Sequence, residues 1–246
     1  MTTVRTRREG RVFVIGLDRP QKLNAFDDAL LRDLADAMAE ADADDGVRAI
    51  VIHGEGRCFS TGADISPGAL SRIARDGAPR SGPPPPRPDE LLQNLSSWKP
   101  VVVAVHGYAF GMGFGLALEA EIVVASDDAL FEVTEGKLGL GVARYSSLLR
   151  FRGAAGFGDE VCLTARRFGA QEALEHHIVN EVVPAGQHVA RAIEIASEIA
   201  AHPPLGVRTV VRMRRYEIKQ FSDVVAMFVE PQQLHLRRDP APARPD

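Results

Sequence analysis

The sequence predicts an α/β fold built around a mainly parallel sheet. Two short apolar runs, VRAIVIH at 47–53 and VVVAV at 101–105, are typical of strands that are buried on both faces. Helical patterns and long crossovers separate the predicted strands, as parallel pairing requires. With 246 residues, of which 45% are hydrophobic and 25% charged, the chain is long enough to bury a core of this kind.

Strands and helices alternate along the first half of the chain. The first predicted strand is Arg11–Asp18, and a helix follows at Asp27–Ala41 with Asp27 as its cap. After the strand at 101–105, we expect a short apolar helix from about Met112 to Ala120. A further apolar run predicts a strand at Ile122–Ala125.

The second half is predicted to be mostly helical. Three amphipathic stretches, at about 157–166, 170–177 and 187–201, surround one more strand at 178–183. The segment 204–229 is predicted to form helices, and the terminal APARPD is expected to fray. We therefore divide the chain into a core at 1–200 and a C-terminal helical segment at 201–246.

A proline-rich insert interrupts the core at about 66–89. It contains SGPPPPRP at 81–88, and four consecutive prolines have no amide donors for a helix or a sheet. We expect this insert to be a mobile surface loop within one domain.

Charge and cysteine content exclude several classes of protein. The net charge of −4 gives no attraction to nucleic acid or to an anionic membrane, and no apolar run is long enough for a membrane-spanning helix. The first eleven residues lack the apolar block of a signal peptide. Cys58 and Cys162 are too few for a disulfide framework or a zinc site. We expect a cytoplasmic protein without a metal, a nucleic-acid partner or a membrane partner.

Common catalytic signatures are incomplete in this sequence. The glycines at 111, 113 and 115 are followed by Leu116, where a dinucleotide fingerprint needs glycine. Gly136 and Lys137 precede Leu138, where a phosphate-binding loop needs serine or threonine. The sequence therefore does not favour a nicotinamide, zinc or serine-nucleophile enzyme.

Two glycine-bearing turns, each after an apolar strand, are the candidate functional segments. They are STGADI at 60–65 and HGYAFGMGFGLAL at 106–118. Glycine lets the backbone approach a ligand closely, and a helix beginning near Met112 directs its first amides at whatever lies there. Amides from two such turns can form an oxyanion hole; close packing of helix on strand is the alternative interpretation.

Four segments in this order resemble the crotonase superfamily of enoyl-CoA hydratases and isomerases. They are RPQKLNAF at 19–26, STGADI at 60–65, KPVVVAVHGYAFGMGFGLAL at 99–118 and FEVTEGKLGL at 131–140. The resemblance covers about residues 11–201. It implies a superhelical spiral of strand-strand-helix turns, with C-terminal helices that build homotrimers or hexamers. It also implies an acyl-CoA thioester substrate, held through its carbonyl oxygen by two backbone amides, and no separate cofactor.

The resemblance assigns binding roles to individual positions. Ala63 and Met112 would supply the two oxyanion amides. The residues that would contact the substrate and its CoA moiety are Lys22, Leu23, Ala25, Asp64, Ile65 and Gly111. A solvated turn lysine is the alternative for Lys22, and a cap of the following turn is the alternative for Asp64.

The catalytic carboxylates are where this chain departs from the family pattern. Family hydratases use two glutamates, and the position of the first is Gly115 here. The second matches Glu135, which we expect to be the principal acid/base group, with a pKa raised by apolar neighbours. An exposed turn glutamate is the alternative. Glu119, one helical turn after Gly115, and Tyr145 are auxiliary candidates; a buried polar role and packing between helices are their alternatives.

One glutamate beside an oxyanion hole is sufficient to move a double bond. It can remove the proton α to the thioester and return it at the γ carbon without using water. The expected function is therefore double-bond isomerisation of an enoyl-CoA. Enoyl-CoA hydration in fatty-acid β-oxidation and a catalytically silent acyl-CoA binder are the alternatives.

Overall fold

The computed structural model describes residues 2–66 and 98–236, with side chains described as far as residue 221. Apart from residue 66, the predicted insert at about 66–89 lies outside the described residues, and so does the terminal APARPD.

Nine strands lie within these ranges: β1 (Val4–Glu9), β2 (Val12–Leu17), β3 (Ala49–Gly54), β4 (Val101–Val105), β5 (Tyr108–Phe110), β6 (Ile122–Ser126), β7 (Leu130–Glu132), β8 (Phe168–Gly169) and β9 (Glu181–Val183). The larger sheet has the order β1-β2-β3-β4-β6-β9. Its first two strands are antiparallel, and every later pair in it is parallel. The smaller sheet has the order β5-β7-β8, with β5 parallel to β7.

The described α-helices are α1 (Asp28–Ala43), α2 (Met112–Glu119), α3 (Ala143–Phe151), α4 (Ala155–Thr164), α5 (Ala170–Glu175), α6 (His188–Ala201) and α7 (Pro204–Leu236). Short 3₁₀ helices lie at Pro20–Lys22 and Thr134–Leu138. Asp27 caps α1 as predicted, because its carboxylate accepts hydrogen bonds from the amides of Ala29 and Leu30.

The order of elements confirms the predicted α/β class and its strand-strand-helix turns. The unit recurs as β1-β2-α1, as β4-β5-α2 and as β6-β7-α3, the first and the last with a 3₁₀ helix before the α-helix. Successive residues of β2, β3 and β4 face two separate cores. One core packs against α1 and α2, and the other against α6, so that these strands are buried on both faces.

Several elements were absent from the sequence prediction. β1 has one buried residue out of six, so it carries no apolar run to identify it. β5, β7 and β8 are two or three residues long, which is too short to show a periodicity. The C-terminal segment is one helix, α7, and not several.

Candidate active site

The two glycine-bearing turns lie side by side. The Ser60 amide donates to the carbonyl of Tyr108 at 2.9 Å, and the Ser60 carbonyl accepts from the amide of Phe110 at 3.0 Å. This bridge fixes the turn at 60–65 beside β5 and the beginning of α2.

Glycine is required for this close approach. Gly62 has φ +88°, and a Cβ there would lie 2.8 Å from the Phe110 oxygen and 3.1 Å from the Met112 nitrogen. A Cβ at Gly113 would lie 2.8 Å from the Cβ of Ser60. Any larger residue would therefore separate the two turns.

The amides predicted to form the oxyanion hole follow these glycines. Ala63 comes directly after Gly62, and Met112 is the first residue of α2, whose first amides have no partner within the helix. No described residue accepts a hydrogen bond from either amide. Two such donors, with the positive end of the helix dipole behind one of them, are suited to hold an anionic oxygen.

Glu135 lies beside the beginning of α2. The parallel pairing of β5 with β7 brings the two segments together, and the Gly111 amide donates to the Glu132 carbonyl at 2.9 Å. A Cβ at Gly111 would lie 3.0 Å from Oε1 of Glu135. The Glu135 side chain is half-buried, and burial raises its pKa, whereas hydrogen bonds from Tyr145 and Thr134 lower it.

Tyr145 joins Glu135 to the position of the missing carboxylate. Its hydroxyl donates to Oε1 of Glu135 at 2.5 Å. Its ring lies over Gly115, where a Cβ would be 3.3 Å from Cε1 of the tyrosine. Burial raises the pKa of Tyr145 well above its usual value, so the phenol stays protonated and acts as the donor.

Glu119, the other auxiliary candidate, has a different environment. Its carboxylate is fully buried and forms an ion pair with Arg144 of α3. This pairing favours the interpretation of Glu119 as a buried polar residue.

The segment predicted to bind CoA runs parallel to the turn at 60–65. The Phe26 amide donates to Gly62 at 2.7 Å, and the Asp64 amide donates to Phe26 at 2.9 Å. The Thr61 amide donates to the carbonyl of Leu23 at 3.1 Å. Backbone pairing therefore holds both stretches of predicted CoA contacts in one register.

The individual side chains of this segment differ in exposure. Lys22 and Ile65 are exposed, Leu23 is half-buried, and Ala25 is buried. Asp64 pairs with Arg19 at 2.8 Å and accepts a hydrogen bond from the Ser66 amide at 3.0 Å. Hydrogen bonds from Ser66 and Arg19 lower the pKa of Asp64 to about 2. The contact with the Ser66 amide agrees with the alternative of a turn cap.

Two residues that hold these loops together, Arg19 and Asn24, were not predicted from the sequence. Arg19 donates to the Ala25 carbonyl at 2.9 Å and pairs with both Asp64 and Asp27. Asn24 is buried, and its backbone has φ +51°. Its side-chain amide donates to the carbonyls of Glu55 and Cys58. Both residues lie within RPQKLNAF, and the multiple donors of their side chains are the only signal that could have identified them.

Among the side chains that the structure describes, in residues 2–66 and 98–221, no three His, Cys, Asp or Glu residues meet as a metal site would require. The helices described in these ranges are all too short or too polar to cross a membrane.

Comparison with known proteins identifies a family match. The model of the enoyl-CoA hydratase/isomerase family matches residues 7–234. A carnitinyl-CoA dehydratase from Escherichia coli (strain K12) is 35% identical over 214 residues, which are 85% of this chain and 78% of that protein.

Solved structures agree with this match. The structure of a carnitinyl-CoA dehydratase from Mycobacterium avium superposes with a TM-score of 0.78 at 28% identity, covering 94% of this chain and 92% of the other. The structure of an enoyl-CoA hydratase from Mycobacterium paratuberculosis gives a TM-score of 0.79 at 28% identity, covering 96% and 100%.

Proposed function

Because the chain belongs to the enoyl-CoA hydratase/isomerase family, we propose that Ala63 and Met112 hold the carbonyl oxygen of an acyl-CoA thioester while Glu135 moves a proton. The observation that carries this proposal is the position of the half-buried Glu135 carboxylate beside Gly111. Gly111 directly precedes Met112, and neither the Met112 amide nor the Ala63 amide has an acceptor among the described residues.

The proposed reaction begins with proton removal at the α carbon. Glu135 takes this proton, and the electron pair moves onto the thioester oxygen to give an enolate. The two amides and the positive end of α2 stabilise the negative oxygen. Glu135 then returns the proton at the γ carbon, and the double bond shifts along the chain. A raised pKa suits Glu135 to both accepting and returning the proton.

Isomerisation is the favoured reaction because the site holds one glutamate. Gly115 supplies no second carboxylate to hold a water molecule. A proton shuttle by Glu135 needs no water, so the absence of that carboxylate does not interrupt it.

Hydration or its reverse is the second candidate. The names of two relatives, both carnitinyl-CoA dehydratases, favour this chemistry. The hydroxyl of Tyr145 beside Glu135 supplies a further protic group that could assist it.

Recognition of the CoA moiety is assigned to the paired segments at 22–25 and 63–65 together with Gly111. The exposed ammonium of Lys22 suits CoA phosphates. Asp64 acts through its ion pair with Arg19, which keeps the two segments in register.

We also propose that the helical segment at 201–246 mediates a homotrimer or a hexamer. Large hydrophobic side chains of α7 are exposed in the single chain: Leu205, Val210, Met213, Tyr216 and Phe221. Analytical ultracentrifugation tests this assembly directly, and a monomer at micromolar concentration would contradict it. The cytoplasmic location and the lack of a separate cofactor stay predictions.

Turnover of Glu135→Gln tests the proposed role of the carboxylate. With 2-enoyl-CoA and 3-enoyl-CoA as substrates, we expect kcat to fall by about three orders of magnitude, because glutamine cannot accept a proton. Exposed Glu175→Gln is the matched control and should keep wild-type turnover. Full turnover by Glu135→Gln would contradict the proposal.

Calorimetric titration with CoA thioesters tests the remaining alternative. We expect wild type and Glu135→Gln to bind with similar affinity. Binding without turnover of any thioester by the wild type would favour the silent binder, and no detectable binding would contradict both functions.

A further inference from the structure

Tyr145 occupies the space into which a second catalytic carboxylate would project. A Cβ at Gly115 would lie 3.3 Å from Cε1, 3.8 Å from Cζ and 3.7 Å from the hydroxyl oxygen of Tyr145. Even a methyl group at position 115 would be a tight contact with the tyrosine ring, and a longer side chain pointing toward Glu135 would overlap the ring.

The same tyrosine fixes one oxygen of the catalytic carboxylate. Its hydroxyl lies 2.5 Å from Oε1 of Glu135, while Oε2 has a longer contact of 3.4 Å with the Thr134 hydroxyl. Tyr145 is buried in the core between α3 and its neighbours, so its ring cannot move aside without opening a cavity. One oxygen of Glu135 is thus held, and the other is left for proton transfer.

We propose that Tyr145 is the residue that determines the reaction of this site: it positions Glu135 for proton transfer and fills the space that hydration needs for water and a second carboxylate. Gly115 and Tyr145 then form one coupled unit, because the glycine is what allows the ring to lie there. This inference rests on the proposed function and adds a positioning residue to it.

The hydroxyl of Tyr145 also affects the titration of Glu135. A hydrogen bond to the ionised carboxylate lowers the pKa of Glu135, so its loss should raise that pKa further. Glu132, from β7, faces the same carboxylate and raises its pKa. From α4, the Cys162 thiol has its pKa raised to about 12 by burial, so it stays neutral near pH 7. From α3, the charge of Arg144 acts on Tyr145.

The pH profile of Tyr145→Phe tests positioning. The variant keeps the ring and removes one hydrogen bond to a charged group, so we expect kcat to fall about tenfold. For the same reason, the acid limb of kcat/KM should move about one pH unit upward, since Glu135 then ionises at higher pH. Ser197→Ala, which removes an exposed hydroxyl of α6, is the control and should change neither value. An acid limb at the wild-type position in Tyr145→Phe would overturn the positioning role.

Product partition tests the occupied space. We expect Tyr145→Ala and the double variant Gly115→Glu with Tyr145→Ala to raise the ratio of hydrated to isomerised product at least tenfold. Gly115→Glu with Tyr145 retained should gain no hydration, because the two side chains overlap. If Gly115→Glu alone gains hydration equal to that of the double variant, the coupling is wrong. Tyr145→Phe stays informative if the alanine variants fail to fold.

The two proposals fail in different ways. If Glu135→Gln keeps full turnover, the proposed function itself is wrong. If Glu135→Gln is inactive while the Tyr145 variants change neither pH profile nor product ratio, only this inference is wrong.

Discussion

The two ends of helix α2 differ in the hydrogen-bond partners of their backbone groups. At its beginning, the Met112 amide has no acceptor among the described residues. At its end, the carbonyls of residues 117–120 accept hydrogen bonds from cationic side chains. Arg152 donates to Leu118 at 3.0 Å and to Ala120 at 2.6 Å, and Arg214 of α7 donates to Ala120 at 2.8 Å.

This difference separates scaffold from site. A buried carbonyl without a partner is costly, and the two guanidiniums remove that cost while meeting the negative end of the helix dipole. Burial lowers the pKa of both Arg152 and Arg214, so this helix end is bound by two partly desolvated cations. The Met112 amide at the other end has no acceptor among the described residues, as a ligand-binding end requires.

Among the variants that compare the two ends of α2, the largest effect is expected from a methyl group at its beginning. A Cβ at Gly111, which has φ +48°, would lie 2.6 Å from Oγ1 of Thr134 and 3.0 Å from Oε1 of Glu135. Gly111→Ala should therefore displace Glu135 and lower kcat/KM about a hundredfold.

Gly153→Ala is the control for the strain of a positive φ. Gly153 has φ +88°, and no other atom lies within 4 Å of a Cβ there. Both variants should lower the melting temperature, since each places alanine in a left-handed conformation. Equal loss of turnover in the two variants would show that backbone strain, and not contact with Glu135, is responsible.

A smaller effect, on stability and not on chemistry, is expected at the other end. Arg152→Met should reduce the free energy of unfolding by about 2 kcal/mol. The loss is limited because Arg214 still donates hydrogen bonds to the carbonyls of Leu118 and Ala120. In denaturant titrations, the exposed Arg212→Met should change stability by less than about 0.5 kcal/mol. Turnover per folded molecule should stay near wild type in both. A large loss of kcat in fully folded Arg152→Met would show that the two ends of α2 are not separable.

The smallest effect is expected from a histidine outside α2. His188 begins α6 and stacks on His106, with 4.5 Å between ring centroids. Burial, together with the nearby His106 and His53, lowers the pKa of His188 to about 4, and burial has the largest effect. The charge of Asp128 opposes this shift in part. The folded state therefore favours neutral histidine, and stability that is complete above pH 6.5 is lost as the pH falls toward 4.

Unfolding titrations at two pH values measure this loss. His188 should make the wild type lose about 2 kcal/mol between pH 7 and pH 5, and His188→Gln should lose less. Exposed His202→Gln should follow the wild type. Identical pH dependence in wild type and His188→Gln would contradict the assignment. The expected result would separate the acid sensitivity of the scaffold from the titration of Glu135 that we propose for turnover.

The sequence predicted those parts of the fold that depend on local pattern. β4 was predicted at Val101–Val105 as observed, and α2 within one residue at its end, because continuous apolar runs and flanking glycines identify them. The cap at Asp27 followed from the chemistry of a single side chain. β1 could not be predicted in this way, because its own residues show no strand pattern. It is a strand because it pairs with β2.

The contacts that shape the site could not be predicted from the sequence for a similar reason. The motif resemblance suggested Glu135 and the two amides, whereas the contact of Tyr145 with both Glu135 and Gly115 depends on how α3 packs against α2. Arg214 reaches α2 across more than ninety residues, and nothing local distinguishes it from the exposed Arg212. Side chains that act through tertiary packing leave no periodic signal.

Deuterium exchange into a saturated acyl-CoA is the most direct test of proton removal by Glu135 beside the two amides. In deuterium oxide, a site that polarises the thioester oxygen and holds a base beside the α carbon should exchange the α hydrogens even though no double bond can move. We predict exchange by the wild type, detected by mass spectrometry, and none above the solvent rate by Glu135→Gln at equal bound thioester. Equal exchange by the two proteins, or none by wild type that is saturated with thioester, would contradict the account.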